Sequence, residues 1–134
     1  MSRSQFELRR DQYLKALARL HEVLDVETSG TTVPLDIVRD SAIQRFEFTF
    51  ETAWLALREW LETQGVVEKF PRTVLAAAFA GGLIQDEAGW SDLQDARNKS
   101  SHTYDEEKAR EVMSVIRNKA ISLLDQLAAK LRAL

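Results

Sequence analysis

The chain has no cysteine, only two prolines and five glycines among its 134 residues, and no surplus of positive charge. Without cysteine there is no disulfide framework and no thiolate metal site. So few breakers and turn formers, with little clustering of β-branched residues, leave no basis for the frequent tight turns of an all-β protein. Long apolar runs are missing too. The longest, Val74-Leu-Ala-Ala-Ala-Phe-Ala80, falls well short of the roughly 18 residues of a membrane-crossing helix, so no membrane association is expected. The net charge of −3 argues against a general nucleic-acid binder, whose affinity rests on a broad basic surface. An RNA substrate would have to be held by a local basic cluster, built from Arg97 and Lys99 with Arg72 or Arg110 as additions. Met1-Ser-Arg-Ser-Gln5 has none of the apolar character of a secretory leader, and a cytoplasmic location is the expectation.

What is present is helical pattern. With 45% apolar and 29% charged residues, the composition is that of a globular protein, read as one domain over residues 1–134 and large enough to bury its own core. From about Ser4 to Glu27, Phe6, Tyr13, Leu14, Leu17, Leu20 and Leu24 recur at three- and four-residue steps, the period of an amphipathic helix. Thr28-Ser-Gly-Thr-Thr32 interrupts it. Pro34 suits an early helical position after Thr31 or Thr32 as a cap. The helix it opens runs to about Thr63, before Gly65, and carries Ile37, Phe48, Phe50, Trp54, Leu55, Leu57 and Leu61. That is too many apolar residues for one narrow stripe, so this helix packs against several neighbours or a second subunit. A short third helix runs from Pro71 to Gly81-Gly82, and a fourth begins near Trp90 with Leu93 and Ala96 facing inward. The last starts near Asp105-Glu-Glu107, whose carboxylates suit a helix N-terminus. It carries Ala109, Val112, Ile116, Ala120, Leu123, Leu127 and Leu131 on one face almost to Leu134. The fold expected is an all-α, up-and-down bundle of four to five antiparallel helices.

Against this scaffold one octet stands apart: Arg97-Asn98-Lys99-Ser100-Ser101-His102-Thr103-Tyr104. Arginine can grip a phosphate through two hydrogen bonds but cannot act as a base. Histidine titrates near neutral pH and can carry a proton. Together they suit cleavage of a phosphodiester, with His102 moving protons and Arg97 stabilising charge on the phosphorane. Asn98 could orient the histidine or the substrate, Lys99 could touch an RNA backbone, and Ser101 shares a helix face with Arg97. On a regular helix Arg97 and His102 diverge by about 140°, so a helix that loosens around Ser100-Ser101, or a cleft that wraps its edge, would ease their meeting. One chain supplies one titrating group; a symmetric dimer would supply two. No paired-aspartate transferase signature and no Gly-rich phosphate loop is present, and neither a cofactor nor a metal is called for. Glu47 and Glu51, four apart, read as a solvated stripe before a cation site. Arg97 also has Asp95, Asp105 and Glu106 as nearby carboxylate partners.

The segment Ile43-Gln-Arg-Phe-Glu-Phe-Thr-Phe-Glu-Thr-Ala-Trp54, then Trp90, then the octet, resembles the nucleotidyltransferase substrate-binding family of the HEPN superfamily, which includes the HepT-type toxins. The likeness spans nearly the whole chain. It implies a HEPN-like helical bundle, commonly a homodimer with the motif lining a cleft between subunits, and a small minimal nucleotidyltransferase as partner and antitoxin. In the toxin members the Arg-x4-His pair belongs to a metal-independent ribonuclease acting on RNA. Where the motif is Arg-x4-His-x-Tyr, the partner transfers AMP from ATP to the tyrosine and silences the toxin. Carried over by residue, Arg97 and His102 would be catalytic and Tyr104 the AMPylated residue. The competing reading is a non-catalytic companion whose cleft presents a substrate to a separate transferase.

Overall fold

The computed structural model describes residues 4–134; Met1–Arg3, part of the segment read for a leader, lie outside the described residues. Helix α1 spans Gln5–Ser29, α2 Leu35–Thr63, α3 Pro71–Ala80 and α4 Glu87–Lys99. A 3₁₀ turn, Ser100–His102, follows α4. The last helix, α5, is continuous in three stretches, Glu106–Val115, a π turn at Ile116–Ala120, and Ile121–Arg132. There is no strand among the described residues. The all-helical expectation therefore holds, with five helices. No helix among the described residues is long and apolar enough to cross a membrane.

Local chemistry explains the boundaries. Ser4 caps α1 by accepting from the Glu7 amide at 3.1 Å, and Asp105 caps α5 by accepting from the Glu107 and Lys108 amides. Each satisfies donors that no helical carbonyl can reach. After α2 the chain turns at Gly65, whose φ of +81° strains any residue with a Cβ. Two starts differ from the sequence expectation. Pro34 sits just before α2 rather than inside it, and Thr31 accepts from the Val33 amide instead of capping the helix. Helix α4 begins at Glu87, three residues before Trp90, because Asp86 accepts from the Gly89 amide at 2.8 Å.

Helix α1 lies along α2, α4 packs between α2 and α5, and α3 braces α2 and α4. The core draws on every helix: Tyr13, Leu17 and Leu20 from α1, Phe46, Phe50 and Leu57 from α2, Val74 from α3, Trp90 and Leu93 from α4. All seven residues expected along the inner face of α5 are buried. Tyr13 donates from its buried hydroxyl to the Leu124 carbonyl at 2.6 Å, and burial holds that hydroxyl well above the usual tyrosine range. The aromatic wealth of α2 divides. Phe50, Trp54, Leu57 and Leu61 go inward, while Ile37 and Phe48 stay exposed.

Candidate functional site

Helix α4 delivers the motif and stops in the middle of it. Ala96 is buried in the core, so Arg97, one residue on, leaves the helix at the edge of the α2–α4 seam. The chain then tightens rather than loosens, into the 3₁₀ turn Ser100–His102. A 3₁₀ turn advances about 120° per residue, so it moves Arg97 and His102 to about 180° apart and brings them no closer. The two side chains make no hydrogen bond to each other among the described residues.

Arg97 turns toward α2. Its Nη1 donates to Glu47 Oε2 at 3.0 Å and to Ser100 Oγ at 3.2 Å. Ser100 is 5% exposed, and its hydroxyl lies 2.7 Å from Glu47 Oε2 and 2.6 Å from the Arg97 carbonyl, two acceptors for one proton. The carboxylate of Arg97 is thus Glu47, not Asp95, Asp105 or Glu106. Asp105 is the cap of α5, and Glu106 takes a two-point grip from Arg39 of α2. That grip holds the Glu106 carboxyl below the usual carboxylate range.

The remaining motif residues fan out. Lys99 leans away from Arg97 to an ion pair with Glu111 at 3.4 Å. Asn98 is exposed, and Ser101 donates to the Asn98 carbonyl at 3.0 Å. His102 is exposed, and its imidazole hydrogen-bonds no protein group among the described residues. Tyr104, 85% exposed, sits in the turn before α5 with its ring edge-on to His102, 6.0 Å between centroids at 79°. Lys99 and Arg110, two of the residues considered for a local basic cluster with Arg97, line different grooves, Lys99 with Asp92, Asp95 and Glu111 and Arg110 with Arg39 and Arg117. His21 pairs with Asp125 at 2.7 Å, away from the motif.

Glu47 was read with Glu51 as part of a solvated stripe and Ser100 was given no role; the structure instead joins both to Arg97. Both carried a signal in their register. Glu47 is four after Ile43 and three before Phe50, and Ser100 is seven after Leu93 and four after Ala96. These spacings put both on core-facing stripes, where a polar side chain needs a partner.

Fold and site together define a five-helix bundle that presents an Arg-x4-His-x-Tyr motif at the end of its fourth helix. The chain belongs to the nucleotidyltransferase substrate binding protein like family, whose sequence model matches residues 8–133. It is 36% identical over 103 residues to the probable ribonuclease HepT of Haemophilus influenzae, across 68% of this chain and 70% of that protein. A crystal structure of a Thermus thermophilus protein matches with a TM-score of 0.75 at 34% identity, covering 90% of this chain and 98% of the other. A second structure, from Haemophilus influenzae and described as the fold of a substrate binding domain of a nucleotidyltransferase, matches with a TM-score of 0.79 at 26% identity. It covers 92% of this chain and 98% of that one.

Proposed function

We propose that this chain is a HepT-like, metal-independent endoribonuclease that works as a homodimer, with Arg97 and His102 of each copy facing a shared cleft. The observation that carries this reading is the contrast between the two residues. Arg97 is held in place by protein groups, while His102 is open to solvent with both ring nitrogens available to substrate. A fixed cation and a free imidazole are the two groups that cleavage through the 2′-hydroxyl needs. His102 takes the 2′-hydroxyl proton, the oxygen attacks phosphorus, and the 5′-oxygen leaves with a proton. The products are a 2′,3′-cyclic phosphate and a 5′-hydroxyl. One imidazole cannot be base and acid in the same step, and the second copy supplies the other. The wide separation of Arg97 and His102 around the turn supports the same conclusion, since a cleft between copies brings residues together from two directions. The name of the Haemophilus relative, probable ribonuclease, agrees.

Tyr104 is the off-switch in this reading. Its hydroxyl attacks the α-phosphorus of ATP bound to a partner minimal nucleotidyltransferase, and pyrophosphate leaves. The nucleotide then stands beside His102, blocking the cleft by volume and negative charge. Supporting this are the 85% exposure of Tyr104 and its edge contact with His102.

A non-catalytic companion subunit is the second reading, favoured by the charge pairing of the motif. Glu47 opposes Arg97 and Glu111 opposes Lys99, which leaves little free positive charge for RNA. Cleavage of tRNA, mRNA and rRNA by the purified, unmodified chain in excess EDTA, beside His102→Ala, separates the two. Cleavage by the wild type that disappears in His102→Ala supports the ribonuclease. No cleavage of any of the three RNAs by the wild type refutes it and leaves the companion.

A further inference from the structure

We infer that Glu47 and Ser100 are positioning residues for Arg97: they occupy Nη1 and so make Nη2 the edge that meets phosphate. The inference rests on the ribonuclease reading above. An arginine at a helix end has many rotamers, and an unrestrained one sweeps its charge through a wide volume. Here the Nη1 nitrogen carries two protons, and the structure gives it two acceptors, Glu47 Oε2 at 3.0 Å and Ser100 Oγ at 3.2 Å. Those acceptors are themselves joined at 2.7 Å, so neither can drift without the other. Glu47 comes from α2 and Ser100 from the 3₁₀ turn, which ties the guanidinium to two separate elements. Nε is buried with no hydrogen-bond partner, and Nη2 bonds no protein group among the described residues. Nη2 is therefore the donor left for a ligand.

Glu47 also has an electrostatic effect. Its negative charge offsets that of Arg97, which weakens the grip on any passing phosphate while keeping the cation aimed. The network then acts on the transition state, where charge builds up, more than on ground-state binding. Glu47→Gln, equal in size, removes the charge-assisted bond and leaves Arg97 less opposed. Its expected effect is a fall in kcat on the order of 10²-fold, the scale of a misplaced catalytic group, with KM unchanged or lower. Ser100→Ala keeps the Arg97–Glu47 ion pair but loses the serine's bonds to Arg97 and to Glu47, so a loss on the order of 10-fold in kcat is expected.

The test has two arms on the full-length chain. In the first, nitrogen-15 NMR of the Arg97 guanidinium reads rotation about Nε–Cζ in wild type, Glu47→Gln and Ser100→Ala, with melting curves to confirm folding. Slow rotation in the wild type and faster rotation in both variants is expected; free rotation in the wild type overturns the inference. In the second, steady-state RNA cleavage separates kcat from KM. A rise in KM at constant kcat, or unchanged cleavage in Glu47→Gln, also overturns it. Should the wild type cleave no RNA, the ribonuclease reading falls by itself. The NMR arm then still decides whether the network restrains Arg97.

Discussion

Replacing Gly89 by alanine sets two well-understood effects against each other, and the structure decides the sign. Gly89 lies in the first turn of α4, and on helix propensity alone Gly→Ala stabilises by up to about 1 kcal/mol. The added Cβ, however, would stand 2.5 Å from Asp86 Oδ2, 2.7 Å from Asp86 Cγ and 2.8 Å from Leu123 Cδ1. Asp86 is the cap of α4, accepting from the Gly89 amide at 2.8 Å. Displacing it forfeits about 1 kcal/mol of capping. Leu123 is a buried residue of α5, and forcing a methyl group into a packed seam costs about 1–3 kcal/mol. The net is a destabilisation of about 2 kcal/mol after the propensity gain. At about 2.1 cal/mol/K of unfolding entropy per residue, a chain of 134 residues shifts its Tm by about 3.5 °C per kcal/mol. Thermal denaturation by circular dichroism should therefore show Gly89→Ala melting about 7 °C below the wild type. Asp86→Ala, which loses the cap without the clash, should melt about 3–4 °C below. A Gly89→Ala protein that melts at or above the wild type would refute the reasoning, because propensity would then have outweighed packing.

Tyr13→Phe removes the buried bond to the Leu124 carbonyl and should lower stability by about 1–2 kcal/mol, read as a lower urea midpoint at pH 7. Because burial raises the Tyr13 hydroxyl, its contribution is complete below about pH 10 and is lost as pH rises further. The unfolded chain then gives up the proton first, so the wild-type advantage over Tyr13→Phe should shrink in alkaline titrations. Glu106→Gln tests the opposite sign. Arg39 lowers the Glu106 carboxyl, so its contribution is present above about pH 4.5 and fades as pH falls through the folded value. Urea midpoints of wild type and Glu106→Gln should converge in acid, and sooner at high salt, since the pair is exposed.

The fold was largely legible because helical period is a local property. The inner face of α5 could be read residue by residue, from Ala109 to Leu131, and all seven positions are buried. Starts were less legible because a cap is a hydrogen bond and not a pattern. Nothing in the apolar register distinguishes Glu87 from Trp90 as the first turn of α4, yet the Asp86–Gly89 bond settles it. The motif was visible as a group of residue types, but its geometry was not. Arg97, His102 and Tyr104 could be picked out by type, but the partner of Arg97 lies 50 residues away on α2. Local reasoning offered it Asp95, Asp105 and Glu106. Of the two arrangements that would bring Arg97 and His102 together, a loosened helix and a cleft wrapping its edge, the first is not found, since the chain tightens where Ser100 is buried against Glu47.

That tightening bears on what the motif can be used for. Ser100 is anchored in the seam, Thr103 donates to the Ser100 carbonyl at 3.3 Å, and Asp105 starts α5 as its cap. The segment between is therefore short and held at both ends, and it exposes Ser101, His102 and Tyr104. Under the proposed AMP transfer, a tyrosine that another enzyme draws into its own active site has to project from such a tip, and Tyr104 is 85% exposed. A tyrosine that is to disable a histidine by carrying a nucleotide has to stay beside it, and the two rings are 6.0 Å apart. A longer loop would satisfy the first requirement and lose the second; a continuous helix through residues 100–105 would turn Tyr104 away from His102. The buried serine, the 3₁₀ turn and the capped restart are compatible with both requirements of the proposed switch, and they make the Arg-x4-His-x-Tyr spacing a property of this turn and not of a helix face.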